Sequence, residues 1–97
     1  MADALTASAS VATDAPARYA KQLASHLGRR ASVVEEEAGT RNVLPVGSCL
    51  LTPAEGSLEL RADAADEEGL AVVTDVVGRH LERFGQRNEL TVTWTRP

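Results

Sequence analysis

Aromatic residues are almost absent from this sequence, which has one Trp, one Tyr and one Phe among 97 residues. A surface that stacks successive bases of single-stranded nucleic acid needs more aromatic rings than this chain contains. The formal net charge of −4 also disfavours general binding to a nucleic-acid backbone, which needs a dense basic surface. The sequence therefore predicts that nucleic acid is not a partner.

Cysteine occurs once, at Cys49, so no disulfide can form within the chain. Secreted domains of this size more often carry paired cysteines, which makes a reducing compartment the better interpretation. No hydrophobic run approaches the roughly 20 residues needed to cross a bilayer. Residues 1–9 also lack the basic start and the Leu-rich stretch of a signal peptide. These absences predict a cytoplasmic protein that has no membrane partner.

Sequence signatures of known chemistry are missing as well. The chain has no glycine-rich loop to cradle a phosphate, no serine in a strand–turn–helix elbow and no paired-cysteine metal motif. We therefore expect no cofactor and assign no catalytic residue. A binding or accessory module is favoured over an enzyme.

The chain has the length of one domain, and its 43% hydrophobic and 25% charged residues are values typical of globular proteins. We expect a flexible leader over residues 1–9 and a single α+β domain over residues 10–97. Within that domain the hydrophobic spacing alternates between the patterns of helices and strands.

Two segments have the spacing of amphipathic helices. The first is expected to run from a capped start near Asp14 and Pro16 to about Leu27. The second is expected to begin at Asp66, with acidic residues in its first turn, and to end at Gly85. The apolar stripes of the two helices are Tyr19, Leu23 and Leu27 in the first, and Leu70, Val73, Val77, Leu81 and Phe84 in the second.

The remaining segments favour strands. They cover residues 9–13, 32–38, 41–46, 48–52, 58–62 and 90–95, and the last of these has the cleanest alternation. The element order is then β-α-β-β-β-β-α-β. Consecutive strands favour antiparallel pairing, so we predict a two-layer α+β sandwich with a mostly antiparallel sheet and both helices on one face.

Basic and amide side chains concentrate on the two predicted helices, close to the two histidines. The candidate binding residues are Arg18, Tyr19, Lys21, Gln22 and His26 on the first helix, with Arg79, His80 and Arg83 on the second. Guanidinium groups bind phosphate and carboxylate through paired hydrogen bonds, so the residues fit an anionic small ligand or an acidic protein partner. The alternative is that these charges form ordinary surface ion pairs with neighbours such as Asp75 and Glu82.

The two histidines allow other interpretations. His26 and His80 could bind a metal ion or haem, or move a proton in a small enzyme, although a metal site needs a third and usually a fourth ligand. Each histidine could instead border the core of its own helix, hydrogen-bonded to a backbone carbonyl. A third hypothesis is a homodimer, formed through a sheet edge or through the strand that contains Trp94.

Three segments of the chain resemble one bacterial family. They are DAPARYAKQLASH at residues 14–26, CLLTP at residues 49–53, and VVGRHLERF at residues 76–84 together with Trp94. On these residues the chain resembles the bacterial domain of unknown function 2218 family, over nearly its whole length after Ser10. The resemblance implies a small bacterial protein associated with siderophore-handling proteins, and hence with iron metabolism. It supplies no catalytic residues.

Overall fold

A computed structural model describes residues 5–27, 32–85 and 90–96 of the chain. The described elements, in chain order, are β1 Leu5–Ala12, α1 Pro16–Leu27, β2 Ser32–Glu36, β3 Gly39–Leu44, β4 Gly47–Ala54, β5 Ser57–Ala64 and α2 Glu67–Phe84. The five strands form one sheet in the order β1–β5–β4–β3–β2, and every neighbouring pair is antiparallel. The predicted element order is therefore confirmed as far as α2.

Strands β2 to β5 form a meander of successive hairpins. Two-residue turns at positions 37–38, 45–46 and 55–56 join them, and such short turns connect only antiparallel neighbours. Gly56 has φ of +75°, a left-handed conformation that glycine adopts without a steric penalty. β1 lies on the far side of β5, so the first strand of the chain closes one edge of the meander.

Both helices pack on the same face of the sheet, as predicted. The strands turn alternate residues towards the helices, namely Ala7, Ala9, Val11, Cys49, Leu51, Leu58, Leu60 and Ala62. The helices bury Tyr19, Leu23 and Leu27 of α1, and Leu70, Val73, Val77 and Leu81 of α2, against them. On the opposite face of the sheet, Arg61 is exposed. The result is a two-layer sandwich with its core between the layers.

Hydrogen bonds mark the start of each helix and the end of α2. The hydroxyl of Thr13 accepts a hydrogen bond from the N–H of Ala15 just before α1, and the carboxylate of Asp66 accepts one from Gly69 at the start of α2. The Gly85 N–H donates to the carbonyl of Leu81 where α2 ends. Within the described ranges, neither helix is long and apolar enough to span a membrane.

The first strand begins earlier than the sequence indicates. β1 starts at Leu5, so residues 5–9 of the expected leader belong to the sheet, and only residues 1–4 of that leader lie outside the described part. Ala7 and Ala9 are buried, while Ser8 and Ser10 are exposed. Alanine and serine have little intrinsic strand preference, and pairing with β5 outweighs it here.

The predicted last strand over residues 90–95 is wrong. Among the described residues of this segment, only Thr95 pairs with the sheet, through a single antiparallel bridge to Ser8. The N–H of Val92 instead donates to the carboxylate of Glu82, and Val92 and Trp94 lie beside Gly78 of α2. The alternating apolar residues are therefore packed against a helix rather than arranged along a ladder.

Asn42 is the one buried polar residue within the described part of the core. It faces the helices from β3, between Val33 of β2 and Cys49 of β4, and its exposed fraction is 0%. Neither its Oδ1 nor its Nδ2 has a hydrogen-bond partner. A buried amide without a partner destabilises a fold by about 1–3 kcal/mol.

Asn42→Val should therefore raise the free energy of unfolding by about 1–2 kcal/mol, since valine removes the amide and favours a strand. Urea unfolding followed by circular dichroism measures the change. Asn42→Ala serves as a control that removes the amide and fills less space. A valine variant less stable than wild type would show that the amide is satisfied in solution.

Candidate functional site

The C-terminal turns of the two helices meet through their aromatic side chains. The ring centroids of His26 on α1 and His80 on α2 are 4.8 Å apart. Phe84, at the end of α2, packs its ring edge against His26 at 5.3 Å and lies 6.4 Å from His80. The two histidines that the sequence placed on separate helices therefore share one surface.

The hydrogen bond of His80 determines which of its ring nitrogens is available. Its Nδ1 lies 2.6 Å from the carbonyl oxygen of Val76, one turn earlier in α2. A carbonyl oxygen can only accept, so Nδ1 carries the proton and donates it. The Nε2 of a neutral His80 is then left to accept a proton or bind a ligand.

Two arginines extend this surface along α2. Arg79, His80 and Arg83 line a depression of about 360 Å³ together with Asp75 and Val76. Arg79 forms an i,i+4 ion pair with Asp75 at 3.1 Å, as the alternative interpretation of these charges expected. Both partners are largely exposed, so the pair contributes little stability.

Arg83 is not paired in this way. Within residues 5–27, 32–85 and 90–96 its guanidinium group makes neither an ion pair nor a hydrogen bond. We use the name helix-end site for the surface formed by His26, His80, Phe84, Arg79 and Arg83. Arg83 is the arginine of this site that has no ionic partner in the described ranges.

The remaining candidates on α1 are arranged less favourably. Arg18, Gln22 and His26 follow one another at four-residue intervals and therefore lie along one side of the helix. Lys21 is about 140° around the helix from His26 and points elsewhere. In the described part of the chain neither Lys21 nor Gln22 makes a hydrogen bond or ion pair with α2.

Tyr19 belongs to the core rather than to this surface. Its exposed fraction is 2%, so the predicted binding role would require the tyrosine to leave its packing. The guanidinium carbon of Arg18 lies 5.3 Å from the centre of the tyrosine ring, a distance compatible with a cation–π contact. Tyr19 therefore positions α1 and one of its arginines.

Three contributors to the site were not assigned to it from the sequence. Phe84 was interpreted only as a core residue, Asp75 only as an ion-pair partner, and Val76 contributes a backbone carbonyl. The spacing contains the signal, because Val76, His80 and Phe84 are each four residues apart and so lie on one side of α2. The spacing of residues within α2 does not indicate that His26 of α1 packs against this side of the helix.

A metal site at the two histidines would need a third and usually a fourth ligand. No group of three or more His, Cys, Asp or Glu side chains among the described residues is arranged to hold a metal ion. His26 and His80 alone are fewer ligands than a stable zinc site uses. The geometry of the helix-end site is better suited to hydrogen bonding with an anion.

Cys49 is unsuited to nucleophilic chemistry. Its side chain faces the core with an exposed fraction of 0%. Burial away from water disfavours the thiolate and raises the pKa of the thiol to about 12. Reactive cysteines have lowered pKa values and are accessible, so this thiol is a packing element.

Comparison with known proteins agrees with the sequence resemblance. The profile of a family described as "Uncharacterized protein conserved in bacteria (DUF2218)" matches residues 8–95. The fold is similar to the NMR structure of PA4090 from Pseudomonas aeruginosa, with a TM-score of 0.77 and 24% sequence identity, covering 94% of this chain and 95% of the other. No curated protein matches the sequence.

Proposed function

This chain belongs to the DUF2218 family of uncharacterised proteins conserved in bacteria, and we propose that it is a non-enzymatic binding module whose helix-end site holds a small anionic ligand. The observation that carries the proposal is the contact between the rings of His26 and His80, whose centroids are 4.8 Å apart, beside the guanidinium of Arg83, which has no ionic partner among the described residues. Protonated imidazole and guanidinium groups are strong hydrogen-bond donors to carboxylate and phosphate.

The size and charge of the site support this choice. The depression lined by His80, Arg79 and Arg83, about 360 Å³ in volume, falls within the range of small-molecule sites, roughly 300–1,000 Å³, and His26 contacts His80 beside it. Two neighbouring imidazoles repel each other when both are protonated, and an anion bound beside them offsets that repulsion. The carboxylate of Asp75 competes through its exposed pair with Arg79, which a ligand with two anionic oxygens can displace.

The association with iron metabolism narrows the ligand class within this proposal. A siderophore carries carboxylate, catecholate or hydroxamate oxygens, and an iron-loaded siderophore with net negative charge is one anion of the required kind. A cytoplasmic setting is part of the same proposal, since the buried Cys49 is unpaired and no disulfide stabilises the domain. An acidic protein segment is the other occupant that the basic side chains would accept.

We expect citrate, inorganic phosphate or a ferric siderophore to raise the melting temperature of the full chain. A free-ligand concentration ten times Kd gives about 1.4 kcal/mol of stabilisation, or roughly 6 °C for a domain of this size. Arg83→Ala should weaken the binding about tenfold by removing a charge-assisted hydrogen bond.

Arg61→Ala is the matched control, because it removes the same charge from the opposite face of the sheet. Equal loss of binding in the two variants would show that the chain responds only to overall charge. No shift with any of the three ligands would contradict an anion site.

Transition-metal binding is the second candidate, because the hydrogen bond to Val76 leaves the Nε2 of His80 available for coordination. The same two-variant comparison separates it from the anion site. Metal binding should be lost in His26→Ala and retained in Arg83→Ala, whereas anion binding depends on both residues. Zinc or nickel added to protein without a histidine tag is the probe.

A further inference from the structure

The two edges of the sheet differ in their backbone hydrogen bonding. At the outer edge of β1, Ser8 and Thr95 exchange two backbone hydrogen bonds of 2.9 and 2.8 Å. At the other edge, β3 is the one strand of the described chain that pairs with β2, and all five residues of β2 are exposed. The exposed fractions of Val33 and Val34 are 43% and 46%. An unpaired edge of this kind is a template for another strand.

The hairpin fixes which backbone groups of β2 point outwards. Glu36 and Gly39 flank the two-residue turn at positions 37–38, so they form a hydrogen-bonded pair. Bonded pairs alternate along the ladder, and Val34 and Ser32 therefore also point their N–H and C=O groups towards β3. Val33 and Glu35 point theirs outwards, where nothing within the described chain accepts or donates.

We propose that β2 is a dimer interface, at which two copies of this chain pair their β2 strands antiparallel about a two-fold axis through Val34. In this register Val33 of each copy lies opposite Glu35 of the other. Both are outward-pointing residues, so they form hydrogen-bonded pairs on either side of the axis. The two sheets join into one of ten strands.

Charge disfavours one of the neighbouring registers that the hydrogen bonds also permit. Moving the axis to Glu35 would place two like charges directly opposite each other, which destabilises a strand pair. A shift by a single residue would pair groups that already bond to β3. With the axis at Val34, each glutamate lies opposite an uncharged residue: Glu35 faces Val33 and Glu36 faces Ser32.

The charge order of the sequence favours a second copy over an unrelated strand. Arg29 and Arg30 precede β2 in the sequence, and three glutamates, residues 35–37, end it. Because antiparallel strands run in opposite directions, the charge order of one copy complements that of the other. Two glutamates already have partners within the hairpin, because Glu35 accepts from Thr40 and Glu36 pairs with Arg41 at 2.6 Å. Arg41 therefore offsets the charge of Glu36 where the copies meet.

Val33→Pro tests this interface directly. Proline removes an outward N–H and leaves the bonds between β2 and β3 intact, a position that edge strands tolerate. Sedimentation or light scattering of the full chain should give twice the monomer mass of 10.3 kDa for wild type. We expect Val33→Pro to weaken self-association by at least about tenfold, with an unchanged circular dichroism spectrum.

A second variant covers the case in which the proline disturbs folding. Val34→Arg places two arginines opposite each other on the axis and should also give monomers. Val72→Arg is its matched control, because Val72 is 42% exposed on α2, and this variant should remain dimeric. A wild-type monomer at the highest soluble concentration, or dimers that survive Val34→Arg, would overturn the proposal. Neither result bears on anion binding, which uses the helix layer.

Discussion

Gly39→Ala should destabilise the protein by about 4 kcal/mol, an unusually large effect for adding one methyl group. Gly39 opens β3 directly after the turn and has φ of +157°. A Cβ on this residue would overlap the carbonyl oxygen of Leu51 on β4. That oxygen belongs to the ladder between two central strands, so it cannot move aside as the end of a side chain can. Domains of this size have roughly 5–15 kcal/mol of stability, and the variant would lose much of it.

Gly56→Ala is the control for Gly39→Ala, because it introduces backbone strain without a steric overlap. Gly56 has φ of +75°, but a Cβ there would meet no atom within 4 Å. Only the left-handed backbone penalty applies, about 1–2 kcal/mol. Urea unfolding of both variants measures the difference. Similar losses in the two would mean that the β3–β4 ladder shifts to admit the methyl group.

Alkaline pH should destabilise the fold through Cys49, and this is the second large effect. The folded state raises the pKa of the Cys49 thiol from its ordinary value of 9.0 to about 12, because burial disfavours the thiolate. A pKa raised by folding stabilises the native state fully below the pKa of the unfolded chain. That stabilisation is lost as pH rises from about 9 to 12, by up to about 1.4 kcal/mol per pH unit. At pH 10.5 the loss amounts to about 2 kcal/mol.

Cys49→Ala isolates this contribution from the other groups that titrate at high pH. The alanine variant should be less stable than wild type at pH 7, because it leaves a small cavity in the core. Its free energy of unfolding should fall less steeply between pH 8 and pH 10.5, since it has no thiol to ionise. Parallel pH profiles for the two proteins would show that the Cys49 thiol does not contribute.

The helices could be predicted from the sequence because two independent signals agree for each. The turn at Thr13 and the capping residue Asp66 mark their starts, and the spacing of apolar residues marks their buried sides. In α2, Gly85 also marks the end. Local chemistry of this kind acts within one or two turns, so a sequence pattern contains it.

The edge of the sheet was harder to predict. Residues 5–9 become part of β1 because β5 offers a partner strand, although their own preference for a strand is low. Residues 90–95 have strong strand preference and yet pair only at Thr95, since Glu82 and Gly78 of α2 hold the segment instead. Both outcomes depend on tertiary partners that lie far away in the sequence.

The candidate site was predicted in part. The sequence identified His26, His80 and Arg83 by residue type and position on each helix. Their proximity depends on how α1 and α2 cross, which side-chain spacing within one helix does not determine. For Tyr19 the sequence contained two signals. Its four-residue spacing with Leu23 predicted a core position, and the residue is buried, whereas its hydroxyl group suggested a role in binding a ligand.

The position of β1 also determines where chain entropy is lost on folding. Each hairpin from β2 to β5 closes a loop of two residues, whereas β1 pairs Leu5 with Ala64 and Ala12 with Ser57 across most of the chain. The entropy lost in closing a loop grows with the logarithm of its length, so docking β1 on β5 costs more chain entropy than closing any of the hairpins. Contacts this distant in sequence slow folding, and the attachment of the first strand is therefore where contact order limits the rate.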